Sequence, residues 1–372
     1  MKLHEIDLYV TQQCNLNCEF CSVDASTQKR DALTTHEIIE LIDDTCLLGL
    51  EDLHLTGGEP LLRDDIEEII AHANSKGLNV RLLTNGILLT DARLASLYSA
   101  GLRNIMISMD GHKEINDRVR CKGSYDMIIN AINRCLELEN FQVRVNSVAW
   151  KSNLHEIPIL ASELGSMGVH TYSVFLGSPL GRGLTWKNEV LSPSDWTKLC
   201  NLITQSVRIK ESPTKIIIEK AFVFSGENIE FSDMCGRGVG CYNITNNYDF
   251  ILVRANGDIY PCVFFSNEGE PMGNIHEKPI KSILQEYPNM AFYNSAGKVP
   301  DECSDCDKVS ICKGGCRGYA HIYYNNWGHR DPRCSRYTHN EDAENDYFPV
   351  CPIMKLNINT GKIGGSSEQV IR

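Results

Sequence analysis

The first half of the chain alternates short apolar segments with amphipathic ones, and this alternation restricts the fold more than any other feature. Six apolar segments have the length and composition of β-strands; they are Ile6–Val10, Asp52–Leu55, Val80–Leu83, Asn104–Ser108, Gln142–Val148 and Thr171–Leu176. Each precedes a segment of helical periodicity, so the strands should be parallel with right-handed crossovers. The pattern predicts an α/β fold, an open parallel sheet or partial barrel, with its chemistry at the carboxyl ends of the strands.

Local signals mark where some of these elements begin. Three helices have N-terminal start signals: a capping box at Thr34–Glu37 for a helix to Leu48, Thr90 before a helix over Asp91–Ala100, and Ser192–Asp195 before a helix to about Ile209. After residue 212 the helical periodicity weakens. There Asn256-Gly257, between two apolar runs, predicts a β-hairpin with a type I′ turn, and little regular structure is expected from Cys303 to Cys351.

Composition excludes several classes of protein. The 372 residues include 36 Lys and Arg against 48 Asp and Glu, a formal charge of −12. This charge disfavours a nucleic-acid surface. No run approaches the roughly 18 apolar residues of a membrane span, and the N-terminus lacks the features of a secretory signal. We therefore expect a cytoplasmic protein without a nucleic-acid or membrane partner.

The chain contains 16 cysteines, which is anomalous for a chain with no sign of secretion. A reducing compartment disfavours a disulfide framework, and a chain of this length does not need one to fold. Metal or iron–sulfur ligation is the first alternative. The spacing of the cysteines has to decide between them.

Cys14, Cys18 and Cys21 follow the first strand in the order C-x3-C-x2-C. Three thiolates on one loop can bind three irons of a cubane cluster and leave the fourth iron open for chemistry. A structural zinc site is the alternative, but it needs a fourth nearby ligand. The nearest candidate, His36, falls inside a predicted helix.

These cysteines resemble those of the radical S-adenosylmethionine (SAM) superfamily, in which this motif holds a [4Fe–4S] cluster in a partial (β/α)6 barrel. Phe20 fits the aromatic residue usual before the third cysteine. Gly57, Gly58 and Glu59 end the second strand, where the family's GGE motif binds the methionine amino group of SAM. Such a role is physically sensible, because glycines let carbonyls approach an ammonium and a carboxylate accepts from it.

The resemblance extends to later strand ends. Ser108 and Asp110 match the family's S-x-D-G segment beside the cofactor, and Arg120 follows. By this resemblance Ser108 and Arg120 would hold the methionine carboxylate, for which a guanidinium is well suited. Asn85 and Asn146 are further predicted contacts to SAM, and Arg182, after the sixth strand, is a weaker candidate near substrate or cofactor.

Eight further cysteines occupy the second half, which is enough to ligate two [4Fe–4S] clusters. Their spacing resembles that of the SPASM domain, and most closely that of anaerobic sulfatase-maturating enzymes. The resemblance implies two auxiliary sets: Cys235, Cys241, Cys262 and Cys316 for cluster I, and Cys303, Cys306, Cys312 and Cys334 for cluster II. Zinc ribbons are the alternative. We expect a partial barrel over residues 1–212, a loop-rich iron–sulfur domain over 213–372, and three [4Fe–4S] clusters in total.

Five cysteines remain outside these sets. Cys46, Cys135 and Cys200 lie in predicted helices and are most simply small buried residues. Cys351 follows the last predicted ligand. Cys121 lies after the fourth strand, where it could donate a hydrogen atom or act as a base, although an ordinary loop cysteine is the simpler interpretation.

The resemblance implies a radical mechanism. One electron from an external reductant such as flavodoxin or ferredoxin would cleave SAM to a 5′-deoxyadenosyl radical, which takes a hydrogen atom from the substrate. The auxiliary clusters would then accept the second electron. In sulfatase-maturating enzymes an Asp follows the hairpin cysteine, but here Val263 follows Cys262, so formylglycine formation is not expected and the catalytic base is not identified.

Two classes of substrate remain open. The first is a ribosomally made peptide that receives a crosslink, a thioether or a dehydrogenation, which fits the two full auxiliary sets. The second is a small molecule of natural-product biosynthesis, such as an aminocyclitol or sugar, that is dehydrogenated or epimerised. Against the peptide, the first strand begins about five residues after Met1, which leaves no room for a leader-binding domain. A non-enzymatic electron carrier would need the clusters but not Glu59, Ser108 and Arg120.

Overall fold

The computed structural model describes residues 2–29, 33–192, 195, 198–199, 201–203, 214–219, 249–307, 309 and 313–332. Seven consecutive parallel strands make up most of one sheet: β1 Glu5–Thr11, β2 Asp52–Gly57, β3 Asn79–Thr84, β4 Asn104–Ser108, β5 Gln142–Ala149, β6 Thr171–Leu176 and β7 Lys215–Glu219. All six predicted strands are confirmed, with every boundary within two residues of the prediction. The α/β fold with an unclosed parallel sheet is confirmed as well.

Six helices in the described part of the chain connect β1 to β6: α1 Thr35–Cys46, α2 Ile66–Ser75, α3 Asp91–Ser99, α4 Lys113–Val119, α5 Ser124–Leu136 and α6 Glu156–Met167. The capping box is confirmed, because the Thr34 hydroxyl accepts from the Glu37 N–H and the Glu37 carboxylate accepts from the Thr34 N–H. The Thr90 hydroxyl likewise caps α3. The Ser192 hydroxyl accepts from the Asp195 N–H, but most of the helix predicted beyond it lies outside the described residues.

The two faces of the sheet differ in polarity. The face beneath the helices carries fully buried apolar side chains such as Leu8, Leu55 and Leu82, which belong to the main core. Burial of such residues is the principal stabilisation of a fold of this kind. Most of the alternate residues of the same strands are polar, and they lie on the opposite face of the sheet.

One polar row on that face is a hydrogen-bonded network. Asp7, His54 and Arg81 pair across β1, β2 and β3. Arg81 can only donate, so His54 Nε2 accepts at 2.8 Å from its guanidinium, and the proton of His54 lies on Nδ1. That N–H donates to Asp7 at 2.9 Å. The row therefore crosslinks the three strands.

The sheet continues beyond both ends of the predicted barrel. β8 (Phe250–Val253) pairs with β1 in parallel, and β9 (Asp258–Tyr260) and β10 (Gly273–Asn274) follow in antiparallel pairing. The edges of the ten-stranded sheet are β7 and β10. The sheet thus crosses the predicted boundary at residue 212, and strands from the second half of the chain extend the barrel on both sides.

The predicted hairpin is confirmed, but the prediction of a type I′ turn was wrong. Gly257 has a φ of +85°, whereas Asn256 is not among the described residues with positive φ. The Arg254 N–H donates to Asp258 O at 2.8 Å, so three residues form the loop. The Asn256 amide group also bonds to the Asp258 carboxylate. This pattern is a type I turn followed by a left-handed glycine.

Between residues 249 and 332, the described residues contain four short helices: α7 Phe265–Glu268, α8 Ile280–Glu286, α9 Ala291–Ala296 and α10 Arg317–Tyr324. The expectation of little regular structure after Cys303 was therefore wrong for α10. Three consecutive residues with positive φ, Lys313 to Gly315, lead into this helix. Across the described part of the chain, the helices are all too short or too polar to cross a membrane.

Candidate functional site

Cys14, Cys18 and Cys21 lie on a loop that leaves β1 and folds back on itself. The Cys14 N–H donates to Ser26 O at 3.1 Å, and the Cys21 N–H donates to Cys18 O at 3.3 Å. Burial raises the pKa of Cys14 to about 12 and also raises that of Cys18, and the three sulfurs interact electrostatically with one another. The loop therefore gathers three thiols around a common space at the carboxyl end of β1.

Gly57 and Gly58 bring the end of β2 against the start of this loop. The Gly58 N–H donates to Thr11 O at 2.8 Å, and the next N–H donates to Gln13 O at 2.8 Å. A Cβ on Gly57 would lie 2.2 Å from Thr11 O, and a Cβ on Gly58 would lie 2.0 Å from Gln13 O. Only glycine permits this approach, so both glycines position the backbone that precedes the first cysteine.

Glu59 joins the end of β2 to the end of β3. Its side chain has no exposed surface. One carboxylate oxygen accepts from the Leu61 N–H at 3.1 Å and from the Thr84 hydroxyl at 2.7 Å, and the other accepts from the Asn85 N–H at 2.8 Å. Burial raises the pKa of Glu59, against these hydrogen bonds. The carboxylate therefore organises the strand ends, whatever it contacts in addition.

Asn85 extends from β3 to the cysteine loop. Its amide nitrogen donates to Asn15 Oδ1 at 2.8 Å and lies 4.0 Å from Cys14 Sγ. Its amide oxygen accepts from the Ile87 N–H at 3.0 Å, which fixes the orientation of the group. Asn15 was not predicted, because a single asparagine between two cysteines gives no pattern from which a role could be inferred.

Arg120 lies beside the cysteine loop and is held there by Asp110. Its Nε and Nη2 donate to one Asp110 oxygen at 2.8 and 2.6 Å, while the other accepts from the Val148 N–H at 2.8 Å. Burial opposes the charge of Arg120, but Asp110 and Cys18 outweigh it and raise the pKa. Asp110 has no exposed surface, so within the described structure it orients the guanidinium.

Ser108 and Asn146 meet at the ends of β4 and β5. They are opposite one another in the strand register, and the Ser108 hydroxyl donates to Asn146 Oδ1 at 3.2 Å. Both side chains are partly exposed. They form a polar ledge on the face that carries the cysteine loop, available to a ligand that bonds to both.

Phe20 packs in an aromatic cluster under the same loop. Its ring centroid lies 5.9 Å from that of Trp150 and 5.5 Å from that of Trp186. The Arg120 guanidinium lies 6.0 Å from the Phe20 ring. The aromatic residue before Cys21 therefore anchors the loop to the ends of β5 and β6.

Four of the eight predicted auxiliary ligands are described. Cys262 and Cys316, both assigned to cluster I, pack around one apolar cluster with Leu180, Phe264 and Tyr319. The four other predicted ligands, Cys235, Cys241, Cys312 and Cys334, lie outside the described residues. The two described cysteines of the predicted cluster I set therefore lie where the β9 hairpin, α10 and the segment after β6 meet.

Tyr319 connects this second site to the barrel. Its hydroxyl bonds to the Gly177 carbonyl at 3.2 Å and to the Ser178 hydroxyl at 3.1 Å, just after β6. A Cβ on Gly318 would lie 2.3 Å from Phe264 Cγ. The glycine therefore allows α10 to lie directly on the aromatic ring next to the hairpin.

Arg317 organises the described backbone around the other auxiliary cysteines. Cys306 N–H donates to Cys303 O at 3.1 Å, which makes a tight turn of the C-x2-C pair. The buried guanidinium of Arg317 donates to five carbonyls, those of Ala296, Lys298, Lys313, Gly314 and His329. Arg317 was missed by the sequence reasoning, because a single arginine next to a predicted ligand has no distinguishing pattern.

The remaining cysteines divide as follows. Cys135 is fully buried in α5 and Cys46 packs partly buried at the end of α1, as expected of small apolar residues. Cys121 is partly buried between α4 and α5, and burial raises its pKa, which does not favour a thiolate base. Cys200 and Cys351 lie outside the described residues.

The residues around the first cysteine loop fit an iron–sulfur cluster. Thiolates are the usual ligands of such clusters, and Arg120 and Arg182 both favour the thiolate of Cys18 electrostatically. The Nη2 group of Arg182 is buried and has no hydrogen-bond partner among the described residues. A negatively charged group bound by the cysteines would satisfy this arrangement of donors and charges.

Comparison with known families gives two matches. Residues 8–161 match the family model described as the Radical SAM superfamily. Residues 241–307 match the SPASM model, described as an iron–sulfur cluster-binding domain. The first match contains the cysteine loop and the ends of β2 to β5, and the second contains the β9 hairpin and the C-x2-C pair.

Similar proteins act on different molecules according to their names. An AdoMet-dependent heme synthase of Methanosarcina barkeri is 29% identical over 344 residues, covering 87% of this chain and 94% of its own. A PqqA peptide cyclase of Rhizobium meliloti is 28% identical over 337 residues, covering 88% and 85%. The crystal structure of Streptococcus suis SuiB bound to S-adenosylmethionine shares the fold, with a TM-score of 0.73 at 20% identity over 88% of this chain and 76% of SuiB.

Proposed function

Because the chain belongs to the radical SAM superfamily and carries a SPASM iron–sulfur domain, we propose that it is an enzyme that modifies a ribosomally made peptide. Its bound cluster and SAM would supply a 5′-deoxyadenosyl radical that removes a hydrogen atom from the substrate. The modification would be a crosslink, a thioether or a dehydrogenation. A one-electron reductant such as flavodoxin or ferredoxin would provide the first electron.

The observation that carries the proposal is the convergence of strand ends on the cysteine loop. Cys14, Cys18 and Cys21 would hold the cluster, and Asn85 and Arg120 lie directly beside these ligands. An electron carrier does not need such polar groups around its cluster. A SAM-cleaving enzyme does, because the amino and carboxylate groups of SAM must be oriented.

Each polar group has a distinct proposed role. Arg120 uses Nε and Nη2 on Asp110, so its Nη1 remains to meet the methionine carboxylate, together with the hydroxyl of Ser108. Asn146 supports that hydroxyl. Glu59 fixes the Asn85 backbone by accepting from its N–H, and the segment Gly57–Glu59 that it organises would receive the methionine amino group.

The auxiliary sites are proposed to take up the second electron. Cys262 and Cys316 belong to one set, whose described part contacts the end of β6 through Tyr319. The complete set of eight cysteines supports two fully ligated clusters, as the predicted count requires. A substrate radical formed at the barrel mouth would then have an acceptor attached to the same sheet.

The peptide is favoured over other substrates by two observations. A relative of similar length is named as a peptide cyclase, and eight cysteines in the SPASM pattern fit the peptide-modifying group. A second candidate is a tetrapyrrole, because the relative at 29% identity is named as a heme synthase. Dehydrogenation or epimerisation of an aminocyclitol or sugar is the remaining small-molecule alternative.

The first experiment tests SAM cleavage. The protein is reconstituted anaerobically, reduced with dithionite and incubated with SAM, and 5′-deoxyadenosine is measured by chromatography and mass spectrometry. We expect product from the wild type and from Cys46→Ala, a matched control in α1. The combined variant Cys14→Ala/Cys18→Ala/Cys21→Ala should form none. Equal amounts from this variant and the wild type would exclude the proposed site.

The second experiment separates the substrates. The reduced enzyme is incubated with peptides encoded beside its gene and, in parallel, with iron-coproporphyrin III. A peptide that loses two hydrogens in a SAM-dependent way supports the proposal, whereas a change in mass of the porphyrin alone supports the tetrapyrrole. Repeating the reaction in deuterated solvent identifies epimerisation, because the product then gains deuterium instead of losing hydrogens.

A further inference from the structure

The segment Gly177–Glu189, which we call the β6 strap, contacts both cysteine sites. On one side Leu180 packs with Cys262 and Cys316. On the other side the strap turns back along the loop that carries Cys14, Cys18 and Cys21. Within the described residues, the β6 strap therefore contacts both the loop of Cys14, Cys18 and Cys21 and the apolar cluster beside Cys262 and Cys316.

Arg182 makes most of the polar contacts between the strap and the cysteine loop. Its backbone N–H donates to Cys21 O at 3.0 Å, and its Nε donates to Cys18 O at 3.0 Å. Its Nη1 donates to Ala25 O at 2.8 Å and to Asp24 Oδ1 at 2.9 Å. One residue thus holds the carbonyls of two predicted ligands and the far end of the loop.

The two flanking glycines make this contact possible. Gly181 has a φ of +53°, and a Cβ there would lie 2.7 Å from Cys21 O. A Cβ on Gly183 would lie 3.2 Å from Phe20 O. The sequence Gly181-Arg182-Gly183 therefore places an arginine flat against the loop, where a larger neighbour would push the strap away.

The charge of Arg182 also acts on this site. It favours the thiolate of Cys18, as does Arg120. Its Nη2 is buried and, within the described ranges, bonds to no acceptor. Reduction adds one negative charge to an iron–sulfur cluster. A nearby cation stabilises this more negative state and therefore raises the reduction potential, as do hydrogen bonds donated to the ligands.

We propose that Arg182 is a positioning residue for the cluster held by Cys14, Cys18 and Cys21. Arg182 fixes the loop that carries these ligands, and its charge raises the reduction potential of the cluster. This inference rests on the proposed function. Its contacts are to the protein backbone and to Asp24, so it acts through the loop and through its charge. The nearby carboxylate of Asp24 acts in the opposite direction, because it offsets part of that charge.

The test compares three variants and one control in the full-length reconstituted protein. Arg182→Gln removes the charge, Arg182→Lys keeps the charge but loses the fork of donors, and Asp24→Asn removes the opposing carboxylate. Arg103→Gln is the control, since Arg103 lies over Tyr98 on another part of the surface. The readout is a redox titration of the EPR component that changes when SAM is added.

We expect Arg182→Gln to lower the ratio of reduced to oxidised cluster about tenfold at a fixed applied potential. For a one-electron couple, this corresponds to a reduction potential that is about 59 mV lower. Asp24→Asn should shift the ratio the other way by a smaller factor, because Asp24 is largely exposed. Arg182→Lys should keep the potential near that of the wild type but broaden the EPR signal. Arg103→Gln should change neither.

Unchanged potentials in both Arg182→Gln and Asp24→Asn would overturn the proposal. If Arg182→Gln does not assemble a cluster, the sign of the shift in Asp24→Asn decides, and a zero or downward shift counts against it. Failure of the proposed function looks different. In that case the wild type itself has no EPR component that responds to SAM.

Discussion

The two cysteine sites of this protein are built in opposite ways. The first takes its predicted ligands from eight consecutive positions of one loop, Cys14 to Cys21, and the ends of several strands hold that loop in place. The second collects its predicted ligands from distant parts of the chain, and Cys262 and Cys316 pack against one apolar cluster from a hairpin and from the start of a helix. Ligands on one loop are oriented by the strand ends around that loop. Ligands from distant segments depend on contacts that hold those segments together, such as the hydrogen bonds of Arg317 to five carbonyls.

The largest expected difference between the sites concerns their functions. Cys21→Ala should reduce 5′-deoxyadenosine formation to background and remove about four irons. Cys303→Ala should also remove about four irons, but should leave SAM cleavage without substrate within a fewfold of wild type while abolishing product formation. Iron analysis together with both product assays checks this. If Cys303→Ala also abolished SAM cleavage, the two sites would not be independent.

Gly58→Ala should affect the first site alone. Its Cβ would lie 2.0 Å from Gln13 O, so the backbone before Cys14 must move and the loop should lose its cluster, with at least tenfold less 5′-deoxyadenosine. Gly77→Ala is the control, because a Cβ there meets no atom within 4 Å. This variant carries only the strain of an alanine at positive φ, about 1–2 kcal/mol. Equal activity of the two variants would contradict the role of the glycine.

Arg317→Met should affect the second site alone. It leaves five backbone carbonyls without their buried donor, and each buried acceptor left unsatisfied costs about 1–3 kcal/mol. Limited proteolysis should cut residues 290–332 faster, and iron of the auxiliary sites should be lost while the SAM-dependent EPR signal remains. A variant with unchanged proteolysis would show that the guanidinium does not hold this region together.

Iron loading of the first site should increase with pH. Burial raises the pKa of Cys14 from 9.0 to about 12 and raises that of Cys18. The protonated thiols therefore stabilise the metal-free loop below pH 9, and this contribution is lost as the pH rises towards the folded value. Iron must displace these protons, so its apparent affinity should rise up to about tenfold per thiol for each pH unit. Chelator competition at pH 7 and 8.5 measures this, and a pH-independent affinity would contradict it.

The smallest expected effect is at the junction of the two sites. Tyr319→Phe removes the hydroxyl that bonds to Gly177 O and Ser178 Oγ, at a cost of about 1 kcal/mol. Ser178→Ala removes one of these bonds and should cost less. Chemical denaturation of the reconstituted protein should give a lower free energy of unfolding for Tyr319→Phe than for Ser178→Ala. A Tyr319→Phe variant as stable as wild type would mean that these hydrogen bonds contribute nothing to holding α10 against the end of β6.

The sequence was sufficient for the parts of the fold that depend on local patterns. The six parallel strands, the capping box at Thr34 and the three-cysteine loop all follow from periodicity, side-chain chemistry or spacing within a few residues. Pairing between distant segments has no such signal. The pairing of β8 with β1 and of β7 with β6 could not be predicted, because the residue pattern of a strand does not depend on which strand pairs with it.

The errors have local causes. Asn-Gly predicted a type I′ turn, but Asn256 bonds to Asp258 and leaves only Gly257 with positive φ. The helix α10 was missed because Gly314-Gly315 and Gly318 lower helical propensity, while its packing on Phe264 requires a glycine. Arg182 was predicted only as a weak candidate. Its contact to Cys18 O joins residues that are 164 positions apart in the sequence, and its contact to Cys21 O is similarly long-range, so no local pattern indicates either of them.

The central claim is that the loop of Cys14, Cys18 and Cys21 holds a cluster that binds SAM. The most direct measurement is the EPR spectrum of the reduced, reconstituted protein with and without SAM, alongside the Cys14→Ala/Cys18→Ala/Cys21→Ala variant. SAM should change one component of the wild-type spectrum and leave the spectrum of the variant, with its auxiliary clusters, unchanged. A wild-type spectrum that is identical with and without SAM, at full iron content, would contradict the account.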